Sequence, residues 1–164
     1  MPPERGPEAG ASGNPPGANL HWRGLESLYA SAAINQTFAS RLEIPGEGRA
    51  RILFDVRPEV FHAGGAAHGT IYFKMLDDAG FYAANTFVTD RFLLTTAFNA
   101  HFTKPVREGR VTASGVWISG RRRVLVAESR LVDEEGDEIG RGTGTFMRSR
   151  IPLSGLEGYA DESQ

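Results

Sequence analysis

The chain has 164 residues, a formal net charge of -2 and no cysteine, with 40% hydrophobic and 23% charged residues. That length holds one domain with a sizeable core, and so small a charge removes the general electrostatic case for nucleic acid or an anionic membrane surface. The missing cysteines exclude disulfides, thiolate-ligated zinc and a cysteine nucleophile.

The first stretch, "MPPERGPEAGASGNPPG", is rich in Pro and Gly and carries no apolar run. It cannot offset the entropy of ordering itself, and it lacks the apolar segment of a signal peptide. Residues 1–18 are therefore expected to be a flexible tail, 19–151 a single domain, and 152–164, ending "SGLEGYADESQ", a second flexible tail. No 18-residue stretch is free of charge, so no membrane insertion is expected, and a cytoplasmic location is the default.

Within the domain, "WRGLESLYASAAI" is amphipathic at helical spacing, with Leu25, Leu28, Tyr29 and Ala32 on one side. "QTFASRLEI" and "RARILFDVR" flank "PGEG", the signature of a hairpin. Gly69 to Val88 is long, apolar and free of proline, and reads as a helix. Four strand-like runs follow: "FLLTTAFNAHFTKP", "RVTASGVWIS", "RRVLVAESRLVD" and "EIGRGTGTFMRS". The turn chemistries "VREG", "SG" and "EEGD" separate them, which predicts antiparallel neighbours. The fold class is α+β: an antiparallel sheet of about six strands wrapped around the one helix apolar enough to be buried on most sides.

That central helix carries two carboxylates, Asp77 and Asp78. At 100° per residue, Lys74, Asp78 and Asn85 form a narrow polar stripe, and Lys74 reaches Asp78 at i,i+4, so Asp78 reads as a solvated or ion-paired residue. Asp77 instead lies among Phe73, Phe81, Ala84 and Val88. A carboxylate there is costly and desolvation raises its pKa, which marks it as a functional candidate against the alternative of a carboxylate paired with a strand residue. His68 and Gly69 open the helix, where unpaired N–H groups and the dipole suit a developing oxyanion, and a glycine admits close approach. Asp77 follows His68 by nine residues, about 13 Å along one helix axis. One protomer does not unite them, but two antiparallel helices across a two-fold axis do.

The element order, the His-Gly opening the central helix, the Asp nine residues later, "FNAHFTKPVREG" and the hairpin "EEGDEIGRGTGTF" together resemble the hotdog-fold acyl-CoA thioesterases of the phenylacetic acid degradation (PaaI-like) type, over most of residues 20–150. The resemblance implies a homodimer, often paired into a homotetramer, with coenzyme A entering only as part of the substrate and no separate cofactor. It implies that Gly69 supplies the backbone N–H that polarises the thioester carbonyl. Asp77 is then the nucleophile or the base that activates water, and Thr95 matches a hydroxyl donated in some members from the other chain. Two positions depart from the pattern: His62 stands where members often have Asn, and Thr70 where the common His-Gly-Gly has its second glycine.

Other readings are weaker. His62, His68 and Asp77 lack any short metal-ligand spacing, so no metal is expected. "GRGTGT" is followed by no helix, and its glycines read as close packing within a strand. No G-x-S-x-G is present for a serine nucleophile. Arg121, Arg122 and Arg123, with Lys104, Arg107 and Arg110, form a basic set at strand ends; most of these are solvated edge residues, while Arg suits the phosphates of coenzyme A. His101 and Asn99 share a strand face with Thr95. The leading expectation is an acyl-CoA thioesterase; the alternative is a non-catalytic hotdog module that binds an acyl-CoA or lipid, with a hydratase ranked last.

Overall fold

The computed structural model describes residues 18–159. In chain order the elements are α1 (Ala18–Ser31), α2 (Ala33–Phe38), β1 (Arg41–Gly46), β2 (Arg49–Asp55), a 3-10 turn (Pro58–Val60), α3 (Gly69–Asn85), β3 (Arg91–Phe102), β4 (Arg110–Ser119), β5 (Val124–Val132), β6 (Glu138–Pro152) and a second 3-10 turn (Leu153–Gly155). The six strands make one antiparallel sheet in the order β1-β2-β4-β5-β6-β3. It wraps α3, which touches every strand. The α+β architecture expected from the sequence, a six-stranded antiparallel sheet around a central helix, is the one observed.

Burial explains the wrap. Met75, Leu76 and Ala79 of α3 are almost fully buried and meet Ile52, Phe54, Leu125, Leu131, Ile139 and Phe146 from the strands in one core. The closest approach is at Gly115 of β4, where any Cβ would lie 2.0 Å from the Ala79 carbonyl oxygen. Gly142 and Gly144 of β6 serve the packing role expected of "GRGTGT": a Cβ on either would collide with the Phe98 ring.

The structure revises several boundaries. Residues 36–38, read as the start of a strand, belong to α2, and β1 begins at Arg41. The buried Asn35 donates to the Tyr29 carbonyl at 2.8 Å across the break between α1 and α2, and Ala39 ends α2 in the left-handed region at φ 54°. Tertiary contacts thus override the strand preference of "QTF". The turn "VREG" does not join neighbours: β3 pairs with β6, and β4 lies between β2 and β5. The intervening residues 103–109 cross the mouth of the sheet, fastened where Ala67 N donates to Val106 O at 2.8 Å and Tyr72 Oη to Lys104 O at 2.9 Å. Of the two expected tails, residues 1–17 and 160–164 lie outside the described residues. The described part of the second, 152–159, is packed: Leu153 is fully buried, and Tyr159 Oη donates to His21 Nδ1 at 2.8 Å. Nε2 of the same imidazole donates to the last helical carbonyl, Asn85 O, at 2.9 Å, tying α1 to the end of α3. No helix among the described residues is long and apolar enough to cross a membrane.

Candidate active site

Two half-sites lie on α3. The first is the helix start. His68 is the N-cap, its Nδ1 accepting from Thr70 N at 3.1 Å. Ile71 N bonds His68 O at 2.9 Å, and the Gly69 N–H finds no acceptor among the described residues. A Cβ on Gly69 would come within 3.1 Å of the Phe102 ring, so the absent side chain is what lets that ring close over the helix start. Around Gly69 lies a cavity of about 340 Å³, bounded by His62, Ala67, Tyr72 and residues 102–105 of the crossing segment.

His62 is exposed at the rim, with its ring centroid 6.5 Å from that of His68. His62 Nδ1 accepts from Gly64 N at 2.9 Å. A nitrogen that accepts a backbone N–H carries no proton, so the neutral ring holds its proton on Nε2, a donor. The same reasoning puts the proton of His68 on Nε2.

Asp77 is the second half-site. It is half-buried and forms no ion pair among the described residues. Thr95 Oγ1 of β3 donates to Asp77 Oδ1 at 2.9 Å. Burial drives the Asp77 carboxyl up to about 6 from 3.8; the Thr95 hydrogen bond and Lys74 oppose this, and the Asp78 charge adds to it. Thr95 and Asp77 of one chain thus form a single hydrogen-bonded unit. Asp77 does not bound the cavity at Gly69; eight residues along a straight helix separate the two by about 12 Å.

Asp78 has the opposite surroundings. Lys74 Nζ forms an ion pair with its Oδ2 and donates to Asn35 Oδ1 at 2.6 Å, while Tyr29 Oη donates to the same Oδ2 at 3.1 Å. Of the two readings of Asp78, the ion pair with Lys74 is the one observed, and α1 and α2 roof the stripe in place of solvent. Burial still raises the Asp78 pKa, against the pull of Lys74. Tyr29, read from the sequence only as part of the apolar side of the first helix, turns its hydroxyl to Asp78, and Asn35 was not singled out.

The basic set divides. Lys104 is held by Asp133 at 2.7 Å and Asp137 at 3.1 Å, which removes it as a free phosphate ligand. Arg121 lies over Phe87 at 4.3 Å and Trp117 at 5.0 Å, beside the C-terminal end of α3 and away from Gly69. Arg122 and Arg123 are exposed and carry no side-chain ion pair among the described residues. Those residues hold no group of three His, Cys, Asp or Glu side chains placed to bind a metal ion.

The model of the thioesterase superfamily matches residues 64–139, which span α3 and both half-sites. A candidate esterase of Saccharolobus solfataricus is 28% identical over 101 residues, covering 62% of this chain and 67% of that protein. The transcription factor FapR of Shouchella clausii is 36% identical over 113 residues, covering 66% of this chain but only 56% of its own length. Among solved structures, the PaaI protein of the E. coli phenylacetic acid degradation operon superposes with a TM-score of 0.75 at 18% identity, over 82% of this chain and 97% of that one. A thioesterase of Haemophilus influenzae gives 0.69 at 21% identity, over 82% and 92%. At these identities the structural likeness establishes the hotdog fold.

Proposed function

We propose that the chain is a thioester hydrolase of the thioesterase superfamily, whose model matches residues 64–139, and that its substrate is an acyl-CoA, hydrolysed by water that Asp77 activates. The observation that carries this is Asp77 itself: a carboxylate with no cation of its own, held by one threonine hydroxyl, and poised at about 6. A base of that strength is ionised at neutral pH yet still accepts a proton.

The chemistry balances on few groups. The Asp77 carboxylate takes a proton from water as the hydroxide oxygen bonds to the thioester carbon. The carbonyl oxygen becomes an oxyanion beside the Gly69 N–H, with the helix dipole and His62 Nε2–H as further stabilisation. The intermediate then collapses, the C–S bond breaks, and the Asp77 proton passes to the departing thiolate. A thiolate is a weak enough base to leave without a dedicated acid.

Because one helix holds Gly69 and Asp77 about 12 Å apart, the working unit in this reading is a homodimer, with Gly69 of one protomer facing Asp77 of its partner; a homotetramer would pair two such units. Strand β3 supports that arrangement. It is a sheet edge of 12 residues with no partner on its outer side among the described residues, and its own Leu94 and Phe102, with Phe73 of α3 beside it, are exposed. Such an edge invites pairing with a second copy. Arg107, Arg122 and Arg123, exposed and without an ion pair among the described residues, are the cations of the basic set that this reading offers to the phosphates of coenzyme A.

Thiol release over a panel of acyl-CoA esters, with wild type and Asp77→Asn compared, tests the proposal. Release that depends on Asp77 supports it. Saturable binding without release, Asp77 being intact, overturns it in favour of a ligand-binding module, the reading to which similarity to a transcription factor lends weight.

A further inference from the structure

A second cavity, about 730 Å³ and larger than the one at Gly69, opens elsewhere in the fold. It lies between α1, the end of α3, the start of β3 and the segment after β6, with walls that include Leu28, Tyr82, Phe92, Ile151 and Leu156. Its size is that of a small-molecule site, and it is lined mainly by apolar side chains. We propose that it receives the tail of the acyl group, and that the preferred substrate carries a neutral, medium-length apolar chain. This rests on the assignment of thioester hydrolysis to Asp77.

Position supports the proposal. Phe81 follows Asp77 by one helical turn, about 6 Å along α3. Its ring packs on Tyr82 at 5.0 Å and on Phe92 at 5.1 Å, and both of those line the cavity. On the facing strand, Phe92 precedes Thr95, the partner of Asp77, by three residues, about 10 Å. A carbonyl carbon at Asp77 therefore lies one aromatic wall from the cavity, and a zigzag chain of C–C bonds of about 1.5 Å needs about eight carbons to pass it. Shorter acyl groups stop at Phe81. Glu157 is the charged residue of the lining, so a chain ending in a carboxylate is disfavoured there.

The test measures kcat/KM for straight-chain acyl-CoA esters from acetyl to dodecanoyl, in wild type and in Ala32→Phe. Ala32 borders the cavity at the break between α1 and α2, in an extended conformation open to any L residue. Wild type is expected to be flat up to about octanoyl and then to gain about fourfold per methylene once the chain enters the cavity. The decanoyl-to-butyryl ratio is expected to fall at least tenfold in Ala32→Phe, and taking a ratio within one protein cancels any loss of folded material. A second variant, Leu156→Ala, enlarges the space and shifts the optimum to longer chains. Superimposable profiles in all three proteins overturn the proposal while leaving hydrolysis intact. Where no ester is cleaved, the hydrolytic reading fails, and titration of the same esters decides the cavity separately: binding that tightens with chain length in wild type but not in Ala32→Phe supports it, and length-independent binding overturns it.

Discussion

Asp77 and Asp78 are adjacent in sequence on α3, and the fold treats them in opposite ways. Asp78 is closed beneath α1 and α2, paired with Lys74 and bonded by Tyr29. Asp77 lies toward the unpaired edge β3 with a single threonine hydroxyl. A step of 100° around one helix separates a carboxylate whose charge is answered from one whose charge is left available. The difference teaches that burial of a carboxylate is not by itself a functional sign; what sets Asp77 apart, and carries the role proposed for it, is burial without a cation beside an open edge.

The sharpest way to break this contrast is to neutralise each in turn. Asp77→Asn is expected to lower kcat/KM for acyl-CoA by about 10³-fold, within the range for loss of a positioned base. Asp78→Asn is expected to cost less than about tenfold, since its role is to hold two helices together. Steady-state thiol release measures both, and equal losses would erase the distinction.

Stability should show the reverse ranking. Lys74→Met leaves the Asp78 charge without its cation, where the paired side chains are only 14% and 21% exposed. Breaking such a pair from one side is expected to cost about 2–3 kcal/mol in urea denaturation, below the range for full burial because water still reaches the rim. Asp77→Asn should act in the other direction, and in a pH-dependent way. The folded-state value of about 6 lies above the ordinary 3.8, so the native state holds that proton more tightly than the unfolded chain does. Stability from this group is present below 3.8 and is lost as pH climbs through 6. The Asn variant lacks the loss, so its advantage over wild type is expected to grow by about 2–3 kcal/mol between acid and neutral pH.

Much of this was legible before any coordinates. The wheel separated Asp77 from Asp78, the His-Gly pair marked the helix start, and the turn chemistries marked the reversals, because each is a local property of a few residues. Strand order was not legible in that way. "VREG" signals a reversal but does not say that residues 103–109 cross over to bring β4 beside β2, a matter of where Val106 and Tyr72 find partners. Nor does sequence show that Lys104 is already neutralised by Asp133 and Asp137, which arrive from a hairpin about thirty residues later. The larger cavity escaped notice for the same reason: its walls come from α1, α3, β3 and the segment after β6.

The smallest expected effect tests the hydroxyl that distinguishes the Asp77 half-site from a bare buried carboxylate. Thr95 donates to the charged form, and so holds the Asp77 value lower than burial alone would set it. Thr95→Val keeps the shape and removes the donor. A hydrogen bond of about 0.5–1.5 kcal/mol corresponds to about half to one pH unit, so the acid limb of kcat/KM should move upward by that amount. At pH 5, below the limb, activity should fall by about three- to tenfold, because the ionised fraction there follows the pKa directly. At pH 8, Asp77 is ionised in both proteins, and the two rates should agree within about twofold if the hydroxyl serves only to tune the carboxylate. Thr95→Ser should restore the wild-type limb. A Val variant that loses activity equally at both pH values would instead place the Thr95 hydroxyl on the substrate or the attacking water.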